Sequence, residues 1–385
     1  MNKRTIGECF YQIRNGVNIK QGMVEGGFPI TRIETIANDK FNRDRMGYAG
    51  ITDAEKYKKY ILEDGDLLMS HINSAQYLGR TVLYKKNGDE KIIHGMNLLG
   101  LKANREIIEP AYAKYYFYSK PFREQINRIT KKSVNQASFA VADLKRLTIL
   151  VPPLSKQHEV VDVLDKINKI ITFRQQQLAK LDELVKAWFV EMFICKDNPM
   201  VTLDSLTLGK SEYGAQSASA EYDSNRPRYI RITDINDDGT LNNDIVSSAN
   251  IEDDQRYKLT YGDFLFARMG ATVGKTYAYK SGNQIFAGYL IRYKLNLQKI
   301  MPEYLFAYTK LEKYKKWVLL NQSGAAQPGI NAKKYGSLQI PLAPLEEQRA
   351  FTNFVRQTDK SRLLIRKSLE QMETLKKALM QQYFG

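Results

Sequence analysis

The chain repeats itself, so any fold it adopts must accommodate two copies of one plan. Residues Gln136–Phe193 match Gln327–Phe384 without a gap, at a constant offset of 191. Within that stretch PPLSKQ (Pro152–Gln157) overlies APLEEQ (Ala343–Gln348). Upstream the offset drifts, as loops of unequal length require. Glu109–Tyr116 resembles Met301–Tyr308, Gly65–Ser70 resembles Gly262–Ala267, and Ile30–Ile36 resembles Tyr229–Ile235. Blocks that match in one order indicate a duplicated unit rather than chance similarity.

Each copy has two parts. The first, about 150 residues at ordinary domain size, reads as mixed α/β. Gly-Asp turns precede short apolar runs, and alternating stretches such as TVLYKK and TYAYKSG predict strands. Pro110 and Pro302 open predicted helices, because proline is tolerated at the first helical position. The second part is a long helix. After Pro153, apolar residues recur at Val160, Leu164, Ile167, Ile171, Leu178, Leu181, Val185, Trp188 and Met192. The spacing alternates four and three, interrupted only at Arg174, which is the signature of a coiled-coil seam. The copy after Pro344 carries Phe351, Val355, Ile365, Leu369, Met372, Leu379 and Tyr383, with polar Thr358, Arg362 and Lys376 on the same line. At 1.5 Å per residue each helix is roughly 55 Å long.

A narrow apolar seam needs a partner. An amphipathic helix lying on its own domain meets that need, but two matched seams in one chain favour pairing with each other. Antiparallel pairing predicts an α/β (mixed α+β), pseudo-two-fold molecule: two similar domains, 1–153 and 196–344, separated by helices 154–195 and 345–385.

Charge narrows the partner. The 58 Lys and Arg exceed the 42 Asp and Glu by 16, which favours a polyanion such as nucleic acid over a merely basic soluble protein. The excess is no tail: residues 1–192 hold 31 basic and 22 acidic residues, and residues 193–385 hold 27 and 20. Two cysteines exclude a disulfide framework and a four-cysteine zinc site. No stretch approaches the roughly 18 apolar residues of a spanning helix, and no apolar run follows the basic start, so the expectation is a soluble cytoplasmic protein with no membrane contact.

With the duplicated plan, the PPLSKQ and APLEEQ boundaries and the string FARMGATVGKTYAYK (Phe266–Lys280) in hand, the chain resembles the specificity (S) subunits of type I restriction–modification systems. The first half keeps a weaker version of that string, MSHINSAQYLGRTVLYK (Met69–Lys85), with Gly79-Arg80-Thr81 opposite Gly274-Lys275-Thr276. Ser155-Lys156 departs from the acidic pair found at Glu346-Glu347. The resemblance implies two target-recognition domains, each reading one half of a split, asymmetric target on double-stranded DNA. It implies helices that act as a ruler for the unread spacer and dock two modification (adenine-N6 methyltransferase) subunits. Restriction subunits join these as the ATP-dependent nuclease and translocase. S-adenosylmethionine and ATP then belong to partner subunits, none to this chain, and the setting is the cytoplasm of a bacterial or archaeal cell. The alternative is a stand-alone sequence-specific DNA-binding regulator.

The residues themselves support a reader without catalysis. Gly270 to Gly274 encloses three residues, not the four of a phosphate-cradling Walker A loop, and a strand-like stretch follows it. The expectation is a tight turn presenting Arg268 and Lys275, or in the first copy Arg80, to DNA phosphates; an ordinary hairpin with solvated charges is the plainer reading. The single Pro-Pro lies at a domain–helix boundary without the Asn/Asp-Pro-Pro-aromatic motif that holds a flipped adenine. His71, His94 and His158 are scattered without metal spacing. Basic residues with interleaved aromatics recur in both copies: Lys131, Lys132, Lys145 and Arg146 in the first, Lys333 and Lys334 in the second. Gln136 and Gln327 occupy equivalent loops, where they could contact DNA or equally cap the following helix. His71 near the first turn completes the candidate DNA contacts, a structural or solvated histidine being the plainer reading. Most of the neighbouring aromatics are expected in cores. The charged helix faces, with Arg174, Lys186, Arg366 and Lys377, are candidates for partner contact.

Overall fold

The computed structural model describes residues 2–133, 136–251, 254–324 and 327–385. It forms two compact units, one of residues 1–174 with 368–385, the other of 175–367. Each unit therefore takes the beginning of one long helix and the end of the other.

In the first unit the strand Asn2–Thr5 pairs antiparallel with Thr148–Val151, tying the start of the domain to its end. A four-stranded antiparallel sheet follows, built from Phe10–Asn15, Leu98–Ala103, Leu67–Ser70 and Thr81–Leu83 in that spatial order. Leu67, Leu68 and Met69 are fully buried because Leu67–Ser70 is an interior strand covered on both faces. Helices Pro110–Phe117 and Lys120–Ile129 lie beside it, each opened by a proline in its first turn and capped by Glu109 or Ser119. The second unit repeats the plan: Met200–Thr202 pairs with Gln339–Pro341, and Asp263–Ala267 lies between Leu290–Lys294 and Thr276–Ala278. Helices Pro302–Tyr308 and Glu312–Asn321 take the places of the earlier pair.

The two long helices span Leu154–Phe189 and Leu345–Phe384, the first continuing into a wider turn over Val190–Ile194. In the second unit they run antiparallel. Trp188 meets Phe351 and Phe354 with ring centroids 6.2 and 3.8 Å apart, while Asp182 pairs with Arg362 at 2.8 Å. The end of the first helix is packed into this unit's core: Phe189 and Phe193 touch both Phe351 and Tyr304. In the first unit the reciprocal arrangement holds. Val160 and Leu164 share a core with Phe384, whose ring packs on Tyr112 and Tyr116 at 5.2 and 6.1 Å. Farther along, Ile171, Leu178, Leu181, Val185, Ile365, Leu369, Met372 and Leu379 are half-buried, as expected of a two-helix seam without a third layer. The polar interruptions are accommodated. Thr358 is buried, and Arg362 bridges Asp182 and Asp359.

The repeated glutamine of PPLSKQ and APLEEQ explains why this boundary is written twice. Gln157 is fully buried; its amide nitrogen Nε2 donates to the carbonyls of Ile107 and Pro152, and its Oε1 accepts from Glu109 N–H. Gln348 does the same with Lys299, Ala343 and Met301, at 3.0, 2.8 and 2.9 Å. The helix start is thereby locked to the domain. A second repeated tie is made by tyrosines: Tyr112 and Tyr116 donate to Leu150 and Thr148, Tyr304 and Tyr308 to Pro341 and Gln339.

Replacing Gln348 with leucine strands three buried backbone groups and should cost the second unit about 3 kcal/mol. Urea unfolding of the variant checks this, with Gln157→Leu expected to act equally on the first unit.

Candidate nucleic-acid interface

The central strand of each domain ends in a tight glycine turn that is built identically twice. Gly79 N–H donates to Ser70 O and Ser70 N–H to Arg80 O; Gly274 N–H donates to Ala267 O and Ala267 N–H to Lys275 O. Gly79 and Gly274 have φ of +72° and +87°, and a Cβ would meet Phe122 at 3.2 Å or Val318 at 2.8 Å, so only glycine fits. Just before each turn the chain enters a small antiparallel ribbon. In the first domain Ile72–Asn73 pairs with Ala137–Ser138, which pairs in turn with Lys131–Lys132. In the second, Met269 pairs with Gly329 and Gly329 with Ser323.

This ribbon gathers much of the candidate set. Lys131, Lys132 and Gln136 are exposed on it, directly after His71. In the second domain Arg268 precedes the equivalent ribbon, and exposed Gln327 lies in its loop beside Pro328, whose carbonyl accepts from Gly270 N–H. Lys145 and Arg146 stand apart, exposed at the end of helix Val141–Arg146, where the Lys145 backbone packs against Gly7. Lys333 is exposed on the first turn of helix Ala332–Gly336, and Lys334 donates to Asn321 O at 2.9 Å.

Several candidates sit differently from the sequence expectation. His71 is buried, 5% exposed, with its ring edge-on to Phe139; burial holds its pKa below the usual histidine range. A surface contact from that imidazole is therefore replaced by a position within the wall of the ribbon. Arg80 pairs with Asp39 at 3.0 Å and lies over Tyr77. Lys275 pairs with Asp237 at 2.9 Å and donates to Ile235 O. The two turn cations are thus partly neutralised by acids of their own domain, which lowers what they add to a phosphate contact. Lys310 is covered by Phe306 and donates to Asp237 O, and burial pushes its pKa down to about 8. On the long helices Arg366 pairs with Asp238 at 2.7 Å instead of projecting freely.

Sequence reasoning missed the acids Asp39 and Asp237, although both lie just beyond the matching blocks Ile30–Ile36 and Tyr229–Ile235. It also missed Tyr213 and Tyr289, which flank Arg268 at 4.9 and 6.0 Å. The neighbouring aromatics do fill cores: Tyr115, Tyr116, Phe117 and Tyr314 are buried. His158 is exposed at the start of its helix, 3.4 Å from Glu109. Among the described residues no group of three or more His, Cys, Asp or Glu side chains is placed to hold a metal ion, and no helix is long and apolar enough to cross a membrane.

Comparison with known proteins fits this duplicated arrangement. The family model for the type I restriction modification DNA specificity domain matches residues 1–183 and again 210–374. The chain belongs to that family. It is 29% identical to the type I restriction enzyme MjaX specificity subunit of Methanocaldococcus jannaschii, an alignment covering 98% of this chain and 91% of the relative. The EcoKI specificity subunit of Escherichia coli is 23% identical over 47% of this chain and 40% of its own length. Among solved structures, the type I S subunit of M. genitalium superposes with a TM-score of 0.60 at 15% identity, covering 98% of this chain and 94% of the other. The function is that of a specificity subunit with two target-recognition domains, and nothing in the comparisons supports the stand-alone regulator.

His94 supplies a titration check on the first domain. It is buried behind Gly100, its Nε2 lies 2.8 Å from Leu98 O, and burial pushes its pKa down to about 4. The folded ring stays neutral while the unfolded one takes a proton near 6.5, so its contribution is complete above pH 6.5 and lost as pH falls toward 4. Between pH 7 and 4.5 the first unit should lose about 2–3 kcal/mol more than its His94→Gln variant, read from urea midpoints.

Proposed function

We propose that the chain itself carries no catalytic group and works by holding two DNA half-site readers on one pair of helices. The observation that supports this most is the repeated corner: one glycine turn and one ribbon, twice, with different side chains at its tip. Similar but unequal readers suit an asymmetric split target, whereas two identical ones would require a palindrome. Exposed Lys131, Lys132, Lys145, Arg146 and Lys333 supply the phosphate term, and Gln136 and Gln327 stand where base edges are within reach.

Two modification subunits dock on the long helices in this reading. Apolar residues outside the seam are its support: Leu184, Leu363 and Leu364 are 50, 69 and 69% exposed, as Phe173 is at 57%. Isolated exposed leucines are ordinary, but adjacent ones on a paired helix form a surface a partner can cover. Beside them, the second unit has a groove of about 1070 Å³ whose wall includes Lys186, Phe306, Val318 and Leu363. Those partners hold S-adenosylmethionine and methylate adenine; restriction subunits with ATP complete the nuclease. The site of action is the cytoplasm, where the DNA is.

The complex should lose DNA affinity steeply with salt, because each neutralised phosphate releases counterions. A Lys131→Ala, Lys132→Ala double variant should reduce the slope of log K against log[salt] by about 2; an unchanged slope takes the ribbon off the backbone. Adding one heptad to both helices lengthens them by about 10 Å, so the unread spacer should grow by about three base pairs while both half-sites persist. Methylation mapping reads that spacer, and an unaltered one would remove the ruler role.

A further inference from the structure

The last residue before each ribbon is one place where equivalent backbone positions of the two domains carry different chemistry. Arg268 in the second domain and His71 in the first are equivalent by backbone bonding: Ile330 N–H donates to Arg268 O at 2.9 Å, and Phe139 N–H donates to His71 O at 3.2 Å. The framework around them is retained in pairs, from the glycine turns to the buried glutamines. A retained frame with an exchanged side chain at its tip is the arrangement expected where two readers must differ.

The interactions of the Arg268 side chain are incomplete. Its backbone is fixed on both sides, since its N–H donates to Tyr289 O at 3.0 Å. Its guanidinium lies over Tyr213 and Tyr289, whose rings are 40 and 56% exposed. Contact of this kind holds the guanidinium without using any of its hydrogens. Among the described residues the guanidinium makes no hydrogen bond or ion pair, and its Nε is buried without a partner. His71 has the same defect, a buried Nδ1 with no partner. Buried polar nitrogens are nearly always satisfied, so a guanidinium without a protein partner among the described residues leaves its donors free for a ligand.

We propose that Arg268 is a specificity-determining residue that reads a guanine in the half-site bound by the second domain. This rests on the reading of the chain as a two-domain DNA specificity subunit. A phosphate is served well by the mobile, exposed lysines of the interface, which act as point charges. A planar fork held between two rings instead matches a planar edge carrying two acceptors. In the major groove that edge is O6 and N7 of guanine. Exposed Gln327, in the loop of the same ribbon, is placed to address a neighbouring base.

The test uses the full chain assembled with its modification subunits, with methylated adenines mapped across the host genome. Arg268→Ala should make one guanine of the second half-site degenerate, with discrimination falling about 10- to 100-fold, while the first half-site and spacer stay as they were. Arg268→Gln should shift that position toward adenine. Arg268→Lys keeps the charge but loses the fork, and should also lose the guanine preference; it covers the case in which the alanine variant fails to fold. An unchanged motif in the variants overturns the assignment. So does uniform weakening across all sequences with a smaller salt slope, which marks a phosphate contact, and so does a lysine variant with the original motif. If the unaltered complex left no split methylation motif at all, the specificity-subunit reading itself would fall, a result distinct from any of these.

Discussion

A helix of 36 or 40 residues with an apolar stripe cannot stand in water uncovered, and how its ends are buried determines everything else in this molecule. Phe384 closes the first unit by packing on Tyr112 and Tyr116, more than 260 positions earlier in the chain. Phe189 and Phe193 close the second by packing on Phe351 and Tyr304. Each aromatic contributes burial that a truncated side chain would forfeit, about 3–5 kcal/mol for a core phenylalanine. Because each unit's core requires the far end of the other unit's helix, neither long helix is left to find a different partner.

On that base the repeated ties set the geometry of the reading corners. Gln157 and Gln348 hold the helix starts, the tyrosine pairs hold the closing strands, and the glycine turns fix where the central strands stop. Such buried, fully bonded polar groups specify one arrangement because every alternative leaves them unpaired. The tip beyond them varies: His71 faces Phe139 in one copy, and Arg268 lies between two tyrosines in the other. A rigid frame with an exchangeable tip is what a family of readers with different targets requires.

The large features were legible in the sequence because they carry long-range regularity. The duplication, the two helices and their seam follow from spacing repeated over tens of residues, and the buried aromatics from the general preference of such side chains for cores. The ribbon was not legible: its strands are two residues long, too short for any period, and its partners come from segments some 60 residues apart. For the same reason the turn cations looked free. Arg80 and Lys275 meet Asp39 and Asp237 from about 40 residues upstream, across a loop whose conformation no local pattern encodes. His71 stood as a DNA contact or a structural histidine, and no local signal showed that Phe139 would cover it. Arg268 was legible as a contact, but its setting between Tyr213 and Tyr289 depends on the sheet register.

The most direct measurement is hydrogen exchange on the full chain carrying Phe384→Ala. If each core borrows the far end of the opposite helix, protection should fall across Pro110–Ile129 and around Val160–Leu164, with the second unit's core unchanged. Loss confined to the few residues adjoining position 384, with Pro110–Ile129 as protected as before, would contradict the account.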